Sequence, residues 1–237
     1  MPAVLPLADI VAPIWFLVAW IGYAWAADHP RRGRSTLMAR MHQYRQRWME
    51  RMLVRDNRIV DTQIVSLLVQ NISFFASSTI LIVGGLVAIL GAREQAMAVL
   101  AEFPLVAQTE QALWDLKVLL LIVVFVYAFF KFTWSLRQFN YVAILIGAAP
   151  PPVERPDAAA LAYAERTARV ATRAAEHFNK AMRGYYFGLA ALSWFIQPWL
   201  FAALTAWVIL IVWRREFRSA TLDILGPVDS PIDEAAL

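Results

Sequence analysis

The stretch DTQIVSLLVQNISFFASSTILIVGGLVAILG, residues 61–91, decides the fold. It is long and apolar enough to cross the roughly 30 Å of hydrocarbon in a bilayer, and it predicts a span over residues 64–90. It also carries a polar stripe. At about 100° per residue, Thr62, Gln63, Ser66, Gln70, Ser73, Ser77 and Gly84 fall within about a third of the helix circumference. A helix with lipid all round would leave those amides and hydroxyls without partners. The stripe therefore predicts a helix that faces protein or water along its length. Gln63, Ser66, Gln70, Asn71, Ser73 and Ser77 either line a polar conduit or hydrogen-bond between helices inside a bundle, at about 0.6–2 kcal/mol each. The packing reading is the expected one, with the stripe closed by the third and fourth helices.

The rest of the chain agrees with a membrane setting. Of its 237 residues, 60% are hydrophobic and 17% charged, against about 25% charged in soluble domains; mean hydropathy is +0.52. The absence of cysteine excludes disulfides, thiolate metal sites and Cys nucleophiles. The net charge of +4 comes from arginines beside the spans, so anionic lipid headgroups, not nucleic acid, are the expected counter-charge. No Gly-rich phosphate loop, HExxH or GxSxG occurs.

The expected fold is an all-α membrane protein of four transmembrane helices with two long cytoplasmic or interfacial helical extensions. A single domain covers residues 1–220, and an acidic tail, 221–237, is expected to be loose. The first span covers 9–27, carries Trp15, Trp20 and Trp25, and has no Lys or Arg before it. It is expected to be retained, with the N-terminus outside. An interfacial helix follows over 36–61. Met41, Trp48, Met52 and Ile59 form its apolar face, and Arg40, Arg47, Arg51 and Arg58 a flanking strip suited to lipid phosphates. The alternative is a basic connecting helix packed on a neighbour. Residues 92–113 read as short helices interrupted at Pro104.

The third span covers 114–133, but its helical pattern runs on to Gly147, with Trp134, Arg137, Asn140, Tyr141 and Ile144 on one face. This helix is expected to project into the cytoplasm; a break with a re-entrant turn is the alternative. Arg137 with Asn140 either binds an anion or headgroup, or pairs with Asp56, Asp61 or Glu176. An alanine-rich helix over 157–184, with the i,i+4 pairs Glu165–Arg169 and Glu176–Lys180, should run with little break into the fourth span, 185–213. Gly184 and Gly188 permit close helix approach. Pro198 deprives the Trp194 carbonyl of its helical donor. Ser193 and Gln197 are near enough to help, and Gln197–Pro198 is either a fixed kink or a hinge.

Charge sets the orientation. Of 22 Lys and Arg, nine lie in residues 28–62 and eight in 131–184. The positive-inside rule puts both segments in the cytoplasm and both chain ends outside, as in the periplasm of a bacterial inner-membrane protein. Arg214, Arg215 and Arg218 run against that rule.

Several short motifs then become familiar. Gln70-Asn71, Phe139-Asn140-Tyr141, and Arg183-Gly184-Tyr185-Tyr186-Phe187 followed by Trp194 and Pro198 resemble the uncharacterised membrane-protein family known as domain of unknown function 599. The likeness runs from the first span to the fourth. Gln70 stands where an arginine would precede Asn71, and Gln197 where a glycine would precede the proline. The resemblance implies a polytopic membrane protein and supplies no activity.

No catalytic residue, cofactor or metal is expected. His29, His42 and His177 have no shared local spacing. The expected function is a non-enzymatic bundle subunit that assembles with itself or with a larger membrane complex. The alternatives are a channel or transporter-like protein for an anion or small neutral solute, and a membrane-surface enzyme using Asp56 or Asp61.

Overall fold

The computed structural model describes residues 6–28, 36–104 and 110–225. His29, the arginines at 31–34 and most of the acidic tail lie outside the described residues, as do residues 105–109. Among the described residues there are eight α-helices and no strand: α1 (Leu7–Asp28), α2 (Leu37–Leu53), α3 (Ile59–Gly91), α4 (Arg93–Ala101), α5 (Gln111–Gly147), α6 (Ala158–Leu192), α7 (Pro198–Phe217) and α8 (Ala220–Leu225). A 3-10 turn, Ser193–Phe195, separates α6 from α7. Three helices, α1, α3 and α5, are long and apolar enough to cross a membrane.

Local chemistry explains most boundaries. Thr36 caps α2 by accepting from the Ala39 N–H at 3.1 Å. Asp157 caps α6 by accepting from Ala160 at 2.7 Å. The helix expected over 36–61 stops instead at Leu53. The Asn57 side chain accepts from the Ile59 N–H at 2.9 Å, an Asx cap that starts α3 afresh after a short turn. The expected re-entrant alternative for the third span is excluded, because α5 is unbroken over 37 residues. Likewise α6 runs without interruption through Gly184 to Leu192.

The stretch expected to form one fourth span, 185–213, is split. Pro198 has no N–H, and the chain leaves the α-helix at Ser193, before the proline is reached. Ser193 Oγ donates to the Ala190 carbonyl at 2.6 Å, so it does not serve the Trp194 carbonyl as expected. Gln197 N–H returns to the Ser193 carbonyl, and its own carbonyl accepts from Phe201, which restarts the helix as α7.

The chain divides into two compact units. The first draws on Met1–Pro30, Ala76–Phe130 and Lys180–Val212. Its core is aromatic: Phe16 lies 5.1 Å from Phe201 and 5.8 Å from Phe187, ring to ring, and Trp194 stacks on Phe201 at 5.3 Å. Close approach of α6 to α5 needs glycine. A Cβ on Gly188 would sit 2.8 Å from the Phe125 ring, whereas one on Gly184 would sit 3.4 Å from Ala128, at ordinary contact distance.

The second unit draws on Arg31–Phe75, Lys131–Asn179 and Trp213–Leu237. Here α6 presents the fully buried Ala164, Ala168, Ala171 and Ala174, an i,i+3/i+4 face. Phe75, Phe132 and Phe178 form a ring cluster with centroids 5.6–6.0 Å apart. Buried and half-buried polar groups bond to freed or shared carbonyls: Ser135 Oγ donates to Ala174 at 2.7 Å, and Tyr163 Oη donates to Leu145 at 2.7 Å.

Candidate functional site

The polar stripe of α3 is on the outside. Thr62, Gln63, Ser66, Gln70, Ser77 and Gly84 are exposed and Ser73 is half-buried. The helix packs through the opposite side, where Asp61, Val65, Ile72, Thr79 and Leu86 are buried. The expectation that the third and fourth helices close the stripe is therefore overturned. Gln63, Ser66, Gln70, Ser73 and Ser77 make no side-chain hydrogen bond among the described residues. Asn71 is also exposed but lies about 100° round from Gln70, off the stripe.

Below the stripe, Asp61 is completely buried and holds two partners from the preceding turn and helix. Trp48 Nε1 donates to its Oδ1 at 2.7 Å, and Arg55 forms an ion pair with the same oxygen. This explains why Asp61 does not meet Arg137.

The four arginines of the expected headgroup strip part company. Arg58 donates from its two terminal guanidinium nitrogens to the carbonyls of Ala149 and Pro150, closing the end of α5. It is a structural clasp, because α2 ends before reaching it. Arg40 donates to Gln43 at 3.2 Å. Arg51 is exposed and Arg47 half-buried. Nearby, His42 is 2.8 Å from the Thr172 hydroxyl. Burial lowers the pKa of Arg45, while the charge of Glu176 acts in the opposite direction.

Arg137 is exposed, and its acceptor is none of the three expected acids. Its Nε donates to Tyr141 Oη at 2.7 Å, and the guanidinium lies 6.0 Å from that ring. Trp134, Asn140, Tyr141 and Ile144 are exposed beside it. The face therefore pairs an open cation with aromatic rings, a composition suited to the headgroup level of a bilayer.

Sequence reasoning missed two ionic clusters in the first unit, one around the buried Lys117 and one around Asp28. Lys117, 2% exposed, sits 3.9 Å from Asp9 and 5.5 Å from the Trp194 ring, while Trp194 Nε1 donates to the same Asp9 oxygen at 2.8 Å. Asp28 accepts from Lys180 at 2.7 Å and from Arg183 at 2.8 Å, and Arg183 lies over Tyr23. A lone Asp9 and a lone Lys117 in apolar surroundings were the available signal, since single charges in such stretches need one another. Lys180 pairs with Asp28, not with Glu176 of its own helix; Arg169 does pair with Glu165, at 2.7 Å.

The family described as "Protein of unknown function, DUF599" matches residues 11–221. The chain belongs to this family. The DUF599 match begins within α1 and reaches the start of α8, so the α3 stripe, Lys117, Trp194 and the Asp28–Lys180–Arg183 cluster lie within it, while Asp9 lies just before it. No curated protein and no solved structure matches the chain.

Proposed function

We propose that this DUF599 protein is a non-enzymatic membrane subunit that assembles through the outer face of α3, with itself or within a larger membrane complex. The observation that carries the reading is the exposed polar stripe on a helix otherwise apolar enough to span a bilayer. In hydrocarbon, amides and hydroxyls gain by meeting a protein partner. The described chain supplies none for Gln63, Ser66, Gln70, Ser73 or Ser77.

In this reading α1, α3 and α5 cross the membrane, and the end of α6, the 3-10 turn and α7 together make a fourth crossing. Both ends of the chain then lie on the outer, periplasmic side of a bacterial inner membrane. The arginine-rich segments face the cytoplasm, where Arg51 and Arg137 meet anionic headgroups. The fixed-kink reading of Pro198 is supported by the hydrogen bonds that restart the helix. A surface enzyme built on Asp61 is disfavoured, because that carboxylate is buried and held by Trp48 and Arg55. Passage of an anion or neutral solute would need several copies to bring their stripes around one lumen.

Purification in a mild detergent with native mass measurement tests assembly. A homo-oligomer or a stable hetero-complex is expected. A monomer that stays a monomer in native lipid nanodiscs, with no co-purifying partner, overturns the reading.

A further inference from the structure

Helix α3 carries two seams, and the residues of the outer one alternate in spacing between three and four. One is the packed side described above. The other is Gln63, Ser66, Gln70, Ser73, Ser77 and Gly84, with the exposed Ile80 filling the remaining step. We propose that this outer seam packs against the same seam of a second copy, as a parallel, left-handed helix pair about a two-fold axis normal to the membrane. The proposal rests on the assembly reading and names its occupant.

The spacing points to a helix as the occupant. A repeat of 3.5 residues keeps one seam facing a partner only if the two helices wind round each other left-handedly. Lipid or a lumen asks for no such repeat. In heptad terms, Gln63, Gln70, Ser77 and Gly84 share one position, and Ser66, Ser73, Ile80 and Val87 share the other. The helix therefore has one seam for its own chain and one without an occupant.

The chemistry points to a second copy. Glutamine and serine each donate and accept. A two-fold axis sets Gln63 and Gln70 opposite Gln63 and Gln70 of the partner subunit, where each amide donates to the other's carbonyl. No charge lies on the seam, so identical faces do not repel. Copies inserted the same way in one bilayer can only meet in parallel, and a two-fold axis normal to the membrane makes such a contact isologous. Small residues let the backbones close in. A Cβ added at Gly84 meets nothing within 4 Å in the chain itself, so the glycine answers no need inside the monomer but would serve a helix laid across it.

The chain has no cysteine of its own, which makes the test clean. Single variants Ser66→Cys, Gln70→Cys, Ser73→Cys and Ser77→Cys are oxidised in native membranes, beside the exposed off-seam controls Ile64→Cys and Asn71→Cys. Disulfide-linked dimer should form several-fold more at the seam than at the controls. Adding Gly84→Leu to Ser77→Cys should abolish that dimer while leaving the monomer folded and inserted. Seam positions that cross-link no better than Ile64→Cys overturn the proposal. If the protein then still purifies as a hetero-complex, the assembly reading stands and only the second copy is wrong. A lone monomer sinks both.

Discussion

Helices α3 and α5 look alike by composition and differ in how they are used. Both are long and strongly apolar, yet 44% of the apolar window of α5 is buried in the chain and only 17% of that of α3. On α5, Val118, Leu121, Val124, Phe125, Ala128 and Phe132 are all at or below 1% exposure, and Phe125, Ala128 and Phe132 meet α6. On α3 the packed seam is narrow, and the polar groups look outward. Hydropathy measures whether a helix can enter a bilayer. It does not measure how much of that helix belongs to its own chain.

Substitutions on the two helices should separate these roles. The largest effect is expected on α5. Phe132→Ala removes a fully buried ring that meets Phe75 and Phe178 and should cost about 3–5 kcal/mol of folding stability, read as a fall in the midpoint of thermal unfolding in detergent. Next comes the buried end of α3. Asp61→Ala leaves the Trp48 N–H and Arg55 without their acceptor and should cost about 1–3 kcal/mol, while Asp61→Asn should recover part of it.

The outer seam should behave differently. Gln70→Leu is expected to leave the unfolding midpoint unchanged and weaken association by about 1–2 kcal/mol, measured by dilution in detergent micelles. A double substitution of Ser73 and Ser77 to Leu should likewise spare the fold, because Ser77 is exposed and Ser73 only half-buried. An unfolded double variant would mean the seam is internal after all. The smallest effect belongs to Ile64, 38% exposed and off both seams. Ile64→Ala should change neither folding nor association by more than about 0.5 kcal/mol.

Much of this was legible in the sequence because it is local. The periodicity carried α5 past the length of a span to Gly147, the alanine run and its propensity carried α6 through Gly184, and the GxxxG spacing permitted a close helix approach without naming α5 as the partner. The polar stripe was equally visible. Its direction was not, because one helix's sequence gives the angle between residues but not which angle faces the core. The break at Ser193–Gln197 was placed at the proline, yet its extent depends on which carbonyl Ser193 reaches. The pairs Asp9–Lys117 and Asp28–Arg183 join residues more than a hundred positions apart, a distance over which spacing carries no information. The strip of Arg40, Arg47, Arg51 and Arg58 was drawn on a helix assumed to continue. Once the chain turns after Leu53, Arg58 leaves that strip.

The clasp made by Arg58 separates charge from shape. A lysine at this position would keep the positive charge that helps decide which side of the membrane the segment stays on. It would lose the planar fork that reaches two carbonyls at once. An Arg58→Lys protein should therefore insert with its orientation unaltered, and yet the chain after Gly147 should exchange its amide hydrogens faster. Insertion and final folding would draw on the same side chain at different times, the first through its charge and the second through its geometry.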